Sequence, residues 1–301
     1  MQRTLTRLRK SGALELLAEW HTADNPRTGQ GGQPIKIPHA AVLVGLLLMA
    51  QENAPLFMRE LAYLFQKRLT PESRTLLGLP EKLSNYVTLT SERVKWEKNT
   101  NNAFHRIMDL MDPYPVKRYA ALTYTQVKIV LDQHDSDREL RMKARLSAFT
   151  NAFLQMTFNE QPRRIRRATQ KMDVSFDQTF IPPPTKKGFS KKTLDQRVAA
   201  EATGHVDRLT PGPTDLYAGW YPRKGDRDDF VRGTIDTTCP GSGKKRNRDL
   251  DWGWMLNLAV RVDSEQPGSQ RFPQIAVAAN LSMPNIGVSE EAIELMRQAL
   301  N

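Results

Sequence analysis

The sequence contains almost no cysteine, since Cys239 is the only one in 301 residues. A single thiol excludes an internal disulfide framework and any zinc site built from several cysteines. The five histidines are scattered along the chain, and none forms a pair at the spacing of metal ligands. These absences predict a protein of a reducing compartment, and we expect a cytoplasmic location.

Long hydrophobic runs are also missing. The most apolar run, residues 40–50, has 11 residues, whereas a membrane-spanning helix needs about 20. The run also lacks the position and the cleavage site of a signal peptide. Hydrophobic residues at 39% and charged residues at 26% are typical of a folded globular protein. We therefore expect no membrane partner.

Acidic residues are too few to balance the basic ones. The chain has 33 Asp and Glu against 44 Lys and Arg, which gives a formal net charge of +11. A field of this sign attracts polyanions, and nucleic acid is the most common polyanion in a cell. The alternative is a basic surface with no partner. The balance favours nucleic-acid binding, which would also make the location nucleoid-associated.

Residues 1–160 are predicted to form an all-α helical bundle, a module for DNA binding or dimerisation. Leucines and aromatic residues recur there at helical spacing, and prolines and glycines separate the segments. Thr70 followed by Pro71 predicts the capped start of a short helix that Gly78 ends. The other predicted helices are Gly12–Trp20, Ala40–Gln51, a segment from Leu56 to about Arg68, a long helix from Ser91 to Asp112, and the mostly helical stretch Thr123–Phe158.

Residues 161–301 are predicted to form a different, α/β domain. A basic connector begins at Gln161, and the alternation in Met172–Ile181 predicts a strand. Residues 182–250, rich in Pro, Gly, Lys and Arg, predict a long basic loop insertion. Two strands, Gly253–Val262 and Gln274–Leu281, and a helix, Ser289–Leu300, follow. Consecutive strands before a helix favour a mixed sheet, so the predicted class is α+β.

Two carboxylates stand in the first predicted strand, Asp173 and Asp177. They are four residues apart, so on a strand both point to the same face. A carboxylate inside an otherwise apolar strand is costly unless it is paired or binds a cation. Mg²⁺ needs only one or two protein carboxylates when phosphate oxygens and water complete its shell. Asp177 is therefore a candidate metal ligand; the alternative is that Asp173 caps the strand entry and Asp177 pairs with a neighbouring arginine.

Basic residues cluster at three places around this strand. A solvated face is the usual meaning of such a cluster, but three of them around one possible cation site favour contact with phosphates. The aromatic residues Phe189, Tyr217, Trp220 and Tyr221 lie in the same insertion and could stack on bases or sugars. The candidate DNA-binding residues are Arg163, Arg164, Arg166, Arg167, Lys186, Lys187, Lys191, Lys192, Lys244, Lys245, Arg246 and Arg248.

Several short motifs, taken together and in order, resemble a group of DDE-type transposases that is common in actinobacteria. Its members have a D-x-T-x-x-P strand, then an A-G-W-Y segment, then a W-G-[WY] strand. The corresponding residues here are Asp177-Gln-Thr-Phe-Ile-Pro182, Ala218-Gly-Trp-Tyr221 and Trp252-Gly-Trp254. The helical front is also similar, with a segment Leu69–Pro80 and a long helix that ends at Asp112-Pro113. The resemblance covers essentially the whole chain.

This resemblance implies an RNase H-like core in which Asp177 is the first of three catalytic carboxylates and binds Mg²⁺ or Mn²⁺. It implies a polynucleotidyl transferase that recombines DNA, whose partner is the double-stranded DNA of transposon ends, and it leaves a homodimer open. No position here matches the second or the third carboxylate, so the resemblance is to the N-terminal portion of the family. We expect the chain alone neither to cleave nor to join DNA. The alternative is a non-catalytic DNA-binding protein or a transposase remnant.

Overall fold

The chain forms two compact units. A computed structural model describes residues 1–26, 35–83, 88–113, 122–167, 173–183, 188–189, 191–204, 215–222, 250–266, 268, 273–284 and 287–300. The first unit comprises residues 1–113 and 138–170, and the second comprises residues 114–137 and 171–301. The expected boundary near residue 160 differs from this division, because residues 114–137 group with the second unit. In the parts of the chain described, no helix is both long enough and apolar enough to cross a membrane.

The described elements of the first unit are all helical. They are α1 (Gln2–Lys10), α2 (Ala13–Asp24), α3 (His39–Gln51), α4 (Met58–Tyr63) with a π-helical continuation (Leu64–Arg68), α5 (Pro71–Leu76), α6 (Leu89–Asp109), α8 (Ser136–Asn159), whose first two residues group with the second unit, and α9 (Arg163–Arg167).

Local sequence signals explain several of these helices. The Thr70 hydroxyl accepts a hydrogen bond from the Ser73 N–H at 3.2 Å, and Pro71 occupies the first turn, so the predicted cap of α5 is confirmed. Helix α3 is the centre of the core, as its all-round apolarity predicts. A Cβ at Gly45 in α3 would overlap the side chain of Leu61, so glycine permits this close helix packing.

One buried cation ties three helices of the first unit together. Arg145 of α8 donates to both carboxylate oxygens of Asp24, at 2.6 and 2.9 Å, and to the carbonyl of Leu110 at 3.1 Å. Its guanidinium also lies 5.4 Å from the ring centre of Trp20. The hydrogen bond from Arg145 lowers the pKa of Asp24. These bonds fix α8 against the bundle.

The second unit combines helices with a four-stranded sheet. Its described elements are α7 (Tyr124–Asp132), β1 (Asp173–Ile181), α10 (Lys191–Ala202), β2 (Gly219–Pro222), β3 (Leu250–Val262), β4 (Ala276–Ser282) and α11 (Val288–Leu300).

Several predictions for this region need correction. The stretch Thr123–Phe158 is two helices, because α7 ends at Asp132 and α8 begins at Ser136. Residues 182–250 are not a plain loop, since they contain α10 and β2. Helix α10 is rich in helix-forming residues, and Leu194 anchors it in a small core that it shares with α7. The basic connector also contains the short helix α9.

Strand β3 is the centre of the sheet. It pairs with β1 along 254–262, with β4 along 255–260, and with β2 along 250–253. Every one of these pairings is antiparallel, so the predicted mixed sheet is wrong for the strands described. Helix α10 lies between β1 and β2 in the chain, but both strands pair with β3 rather than with each other, so no parallel pair forms among the described strands.

A carboxylate of α10 holds the start of α7. Glu201 accepts hydrogen bonds from the backbone N–H groups of Tyr124 and Thr125, at 2.8 and 2.9 Å, and from the Thr125 hydroxyl at 2.7 Å. Burial alone would raise the pKa of Glu201, but the bonds from Thr125 and Tyr124 outweigh it, so its pKa is lowered. The contact caps α7 with a charge that suits a helix N-terminus.

Candidate functional site

Asp177 is the middle residue of β1, where it lies opposite Leu258 of β3. Its side chain is exposed, and its Oδ1 accepts the N–H of Gln178 at 2.8 Å. Among the described strands β1 pairs only with β3, and its residues are mostly exposed, so the strand is less buried than its apolar composition suggests. An exposed carboxylate needs no cation to offset desolvation, so a metal role for Asp177 has to be supported by other observations.

The two carboxylates of β1 differ in their surroundings. Asp173, at the first position of β1, accepts a hydrogen bond from the Ser264 hydroxyl. Asp177 forms no ion pair within the described residues, so the alternative of an arginine partner is not observed there. Only one oxygen of Asp177 accepts a hydrogen bond from these residues, and the other remains open to solvent or a ligand.

A complete metal centre is not formed around Asp177. Among the residues that the structure describes, no three His, Cys, Asp or Glu side chains come together. Asp263, at the end of β3, accepts the N–H of Gln266 at 3.1 Å. One exposed carboxylate fits a single Mg²⁺ that phosphate oxygens and water complete. It does not fit a two-ion site, which needs several bridging ligands.

A row of amide side chains crosses the opposite face of the sheet. Gln178 donates to Asn257 at 2.7 Å, and Asn257 donates to Asn280 and to the hydroxyl of Ser282, both at 2.8 Å. Asn280 in turn contacts the carbonyl of Glu291 in α11 at 3.4 Å. This row was not predicted, although three amides at interior positions of otherwise apolar strands were a visible signal. It fixes the register of β1, β3 and β4 and seats α11.

A groove of about 310 Å³ lies beside β1 and α11. Its lining combines the amide row with apolar residues of α11, and Asp177 stands at its edge. The lining residues are Phe176, Asp177, Gln178, Asn257, Val288, Ala292 and Leu295.

The three segments that resemble the transposase group meet at one end of the sheet. Trp220 of β2 lies opposite Trp252 of β3, with ring centres 5.2 Å apart. The ring of Phe180, near the end of β1, stacks on Tyr221 at 5.1 Å. A Cβ at Gly253 would overlap the carbonyl oxygen of Ile181 and the ring of Phe180, so glycine permits the close contact between β3 and the end of β1. The segments are up to 77 residues apart in sequence, so their contact comes from the fold.

Asp215 holds both tryptophans of the W-G-W segment. Its carboxylate accepts the Nε1–H of Trp254 at 2.6 Å, and its backbone carbonyl accepts the Nε1–H of Trp252 at 3.1 Å. No motif indicates this role, because Asp215 precedes the A-G-W-Y segment in a stretch with no regular pattern.

The structure describes the position of only some of the predicted basic residues. Arg163, Arg164 and Arg166 are exposed on α9, which also includes Arg167. Lys191 and Lys192 begin α10. The remaining candidates lie outside the described residues: Lys186, Lys187, Lys244, Lys245, Arg246 and Arg248. Only the arginines of α9 and the two lysines that begin α10 therefore have a described position.

Comparison with protein-family models, with curated proteins and with solved structures finds no match to this chain.

Proposed function

We propose that this protein binds double-stranded DNA and is related to the DDE-type transposases, with Asp177 as its first metal-binding carboxylate. One observation mainly supports the relation to these transposases: the three segments that resemble the transposase group contact one another around Gly253. The D-x-T-x-x-P strand, the A-G-W-Y segment and the W-G-W strand pair with one another and share stacked rings. Motifs that matched by chance would have no reason to contact one another.

The order of the elements supports an RNase H-like arrangement as part of this proposal. Strands β1, β3 and β4 are neighbours in the sheet in the order in which they occur in the chain, and all pair antiparallel. Helix α11 follows and packs on β3 and β4. The resemblance implies this succession, with the first carboxylate on the first strand.

Charge supports DNA as the partner. The net charge is +11, and Arg163, Arg164 and Arg166 of α9 are exposed. Phosphate contacts from arginine and lysine fix a protein on a duplex without reading its sequence. The DNA of transposon ends is the substrate that the resemblance implies, and such binding would place the protein at the nucleoid.

Asp177 is suited to hold one divalent cation together with DNA. Its carboxylate is exposed, and one oxygen is free of hydrogen bonds from the described residues. In the transposase group, Mg²⁺ activates the nucleophile and stabilises charge on the phosphate. Because a single carboxylate does not make a two-ion site, we assign Asp177 to binding and positioning only.

A second candidate is a non-catalytic DNA-binding protein. The observation that favours it is that no group of three metal-ligating side chains forms around Asp177 in the part of the chain described. An exposed charge in the middle of an edge strand also has a purely structural use, because it discourages pairing with another strand.

Replacement of Asp177 by Asn separates the two candidates. We expect Asp177→Asn to abolish Mn²⁺ binding measured by calorimetry in the presence of duplex DNA, because the open carboxylate oxygen is lost. The thermal unfolding temperature should stay unchanged, since the side chain is exposed.

Asp173→Asn is the matched control, with the same chemistry on the same face of β1. Its carboxylate already accepts a hydrogen bond from Ser264, so we expect Mn²⁺ binding to persist. Loss of Mn²⁺ binding in Asp173→Asn but not in Asp177→Asn would contradict the assignment. Equal binding by wild type and both variants would favour the non-catalytic candidate.

A further inference from the structure

Acidic residues are nearly absent from two segments, which lie in the first unit except for residues 171 and 172. Residues 1–14 and 140–172 together contain twelve Lys and Arg, and Glu160 is their only acid. The excess of basic over acidic residues in these two segments equals the net charge of the whole chain, which is +11. The charge imbalance is therefore concentrated rather than spread evenly along the chain.

The fold joins these two segments. Arg7 of α1 forms a salt bridge of 3.0 Å with Glu160, which lies just after α8 and three residues before α9. The bridge thereby holds Arg7 of α1 beside a residue that lies three positions before α9. The bridge also uses the only acid of the two segments.

Helix α1 presents its cations as a stripe. Arg3, Arg7 and Lys10 are spaced at i, i+4 and i+7, so they share one face. The opposite side is buried in the bundle through Leu5 and Leu8, at 1% and 0% exposure. Arg3 and Lys10 are exposed.

The cations on both sides of the bridge are available to a ligand. Arg3, Lys10, Arg163 and Arg164 are all exposed. Within the described residues, no acidic side chain forms an ion pair with any of these four. We call these four residues the α1–α9 surface.

The residues of the α1–α9 surface favour one kind of polyanionic partner over the others. A basic amphipathic helix can lie on an anionic membrane only by inserting its apolar face, but the apolar face of α1 is already buried in the core. Single-stranded nucleic acid is usually held by aromatic side chains that stack on bases, and residues 1–14 and 159–172 contain no aromatic residue. Cations in stretches of chain without aromatic residues are suited to contact the phosphate backbone of a duplex.

We propose that the α1–α9 surface is one continuous phosphate-contacting surface, in which Arg3 and Lys10 of α1 bind the backbone of duplex DNA beside Arg163 and Arg164 of α9. The inference rests on the proposed DNA binding and adds residues of α1 that lie about 150 positions from α9 in sequence. Arg7 acts as a positioning residue, because its bridge to Glu160 holds α1 next to α9.

The test is the double variant Arg3→Gln with Lys10→Gln, titrated with fluorescent duplexes of unrelated sequence across a salt series. Each lost phosphate contact makes the slope of log affinity against log salt less negative by about 0.9, so we expect a change of about 2 and an affinity about tenfold lower near 0.1 M salt. The loss should be equal for all sequences. The matched control is Arg59→Gln with Lys98→Gln, which removes one exposed arginine and one exposed lysine elsewhere in the unit.

An unchanged slope in the α1 variant, with wild-type binding intact, would overturn the α1–α9 surface and leave the proposed DNA binding standing. An equal loss in the control variant would also overturn it, because the effect would then be general charge. If wild type does not bind the duplex, the surface and the proposed function both fail. Binding of wild type to phosphatidylserine vesicles that is lost in the α1 variant, without DNA binding, would assign the surface to a membrane and overturn the proposal.

Discussion

We expect duplex binding to weaken at least a hundredfold near about 0.1 M salt when the four arginines of α9 are replaced together by glutamine; they are Arg163, Arg164, Arg166 and Arg167. The reason is that the loss of four phosphate contacts changes the slope of log affinity against log salt by about 3.6. The loss should be uniform across sequences, since phosphate contacts carry no sequence information. Affinity measured by fluorescence anisotropy across a salt series gives both the loss and the slope.

The matched control for this variant removes the same charge from other residues of the first unit. Replacing four exposed cations of the first unit by glutamine should leave most of the affinity in place; they are Arg59, Lys67, Arg93 and Lys98. A loss confined to one DNA sequence in the α9 variant would indicate base recognition instead. An equal loss in both variants would show that overall charge, rather than α9, decides the binding.

Replacement of Gly253 by alanine is expected to destabilise the second unit by about 3 kcal/mol, at the upper end of the usual cost of overpacking. A Cβ there would overlap the carbonyl oxygen of Ile181 and lie 2.5 Å from the ring of Phe180. The backbone of β1 cannot move away without breaking its pairing with β3. Unfolding followed by tryptophan fluorescence is a direct measurement, because Trp252 and Trp254 flank the substitution.

Gly204→Ala is the control for this substitution. Gly204 has φ of +73° and open space around it, so alanine there meets no neighbour and should cost about 1 kcal/mol through backbone strain alone. A cost at Gly253 no larger than at Gly204 would contradict the close contact between β3 and the end of β1. It would also weaken the relation to the transposase group, which rests on that contact.

The elements with strong local signals could be predicted from the sequence. The alternation and β-branched residues of Met172–Ile181 predict a strand, which the structure has as Asp173–Ile181, and the threonine cap and proline predict α5. The last three elements were expected within about three residues of their ends. In each of these cases the residues of the element itself carry the information.

The elements inside 182–250 could not be predicted, because their stability comes from distant partners. Helix α10 has few apolar residues, and Leu194 is buried only because α7 packs against it. Strand β2 has four residues, and its pairing with Trp252 provides the partner that it needs. Composition rich in Pro, Gly and Lys therefore gave the wrong expectation for them.

The candidate site shows the same limit. The residue Asp177 and its strand were recognised, but its exposure was not, because periodicity does not reveal that β1 lies at the edge of the sheet. Asp215 was missed because its role depends on two tryptophans that are 37 and 39 residues away. The α1–α9 surface depends on a salt bridge between residues 7 and 160, which no local pattern indicates.

The most direct test of the account is the salt dependence of duplex binding by the unmodified protein. About six phosphate contacts predict a slope of roughly −5 for log affinity against log salt concentration. The same slope should be found with duplexes of unrelated sequence. A slope near zero, or no binding to duplex DNA at low salt, would contradict the claim that this protein holds DNA by its phosphates.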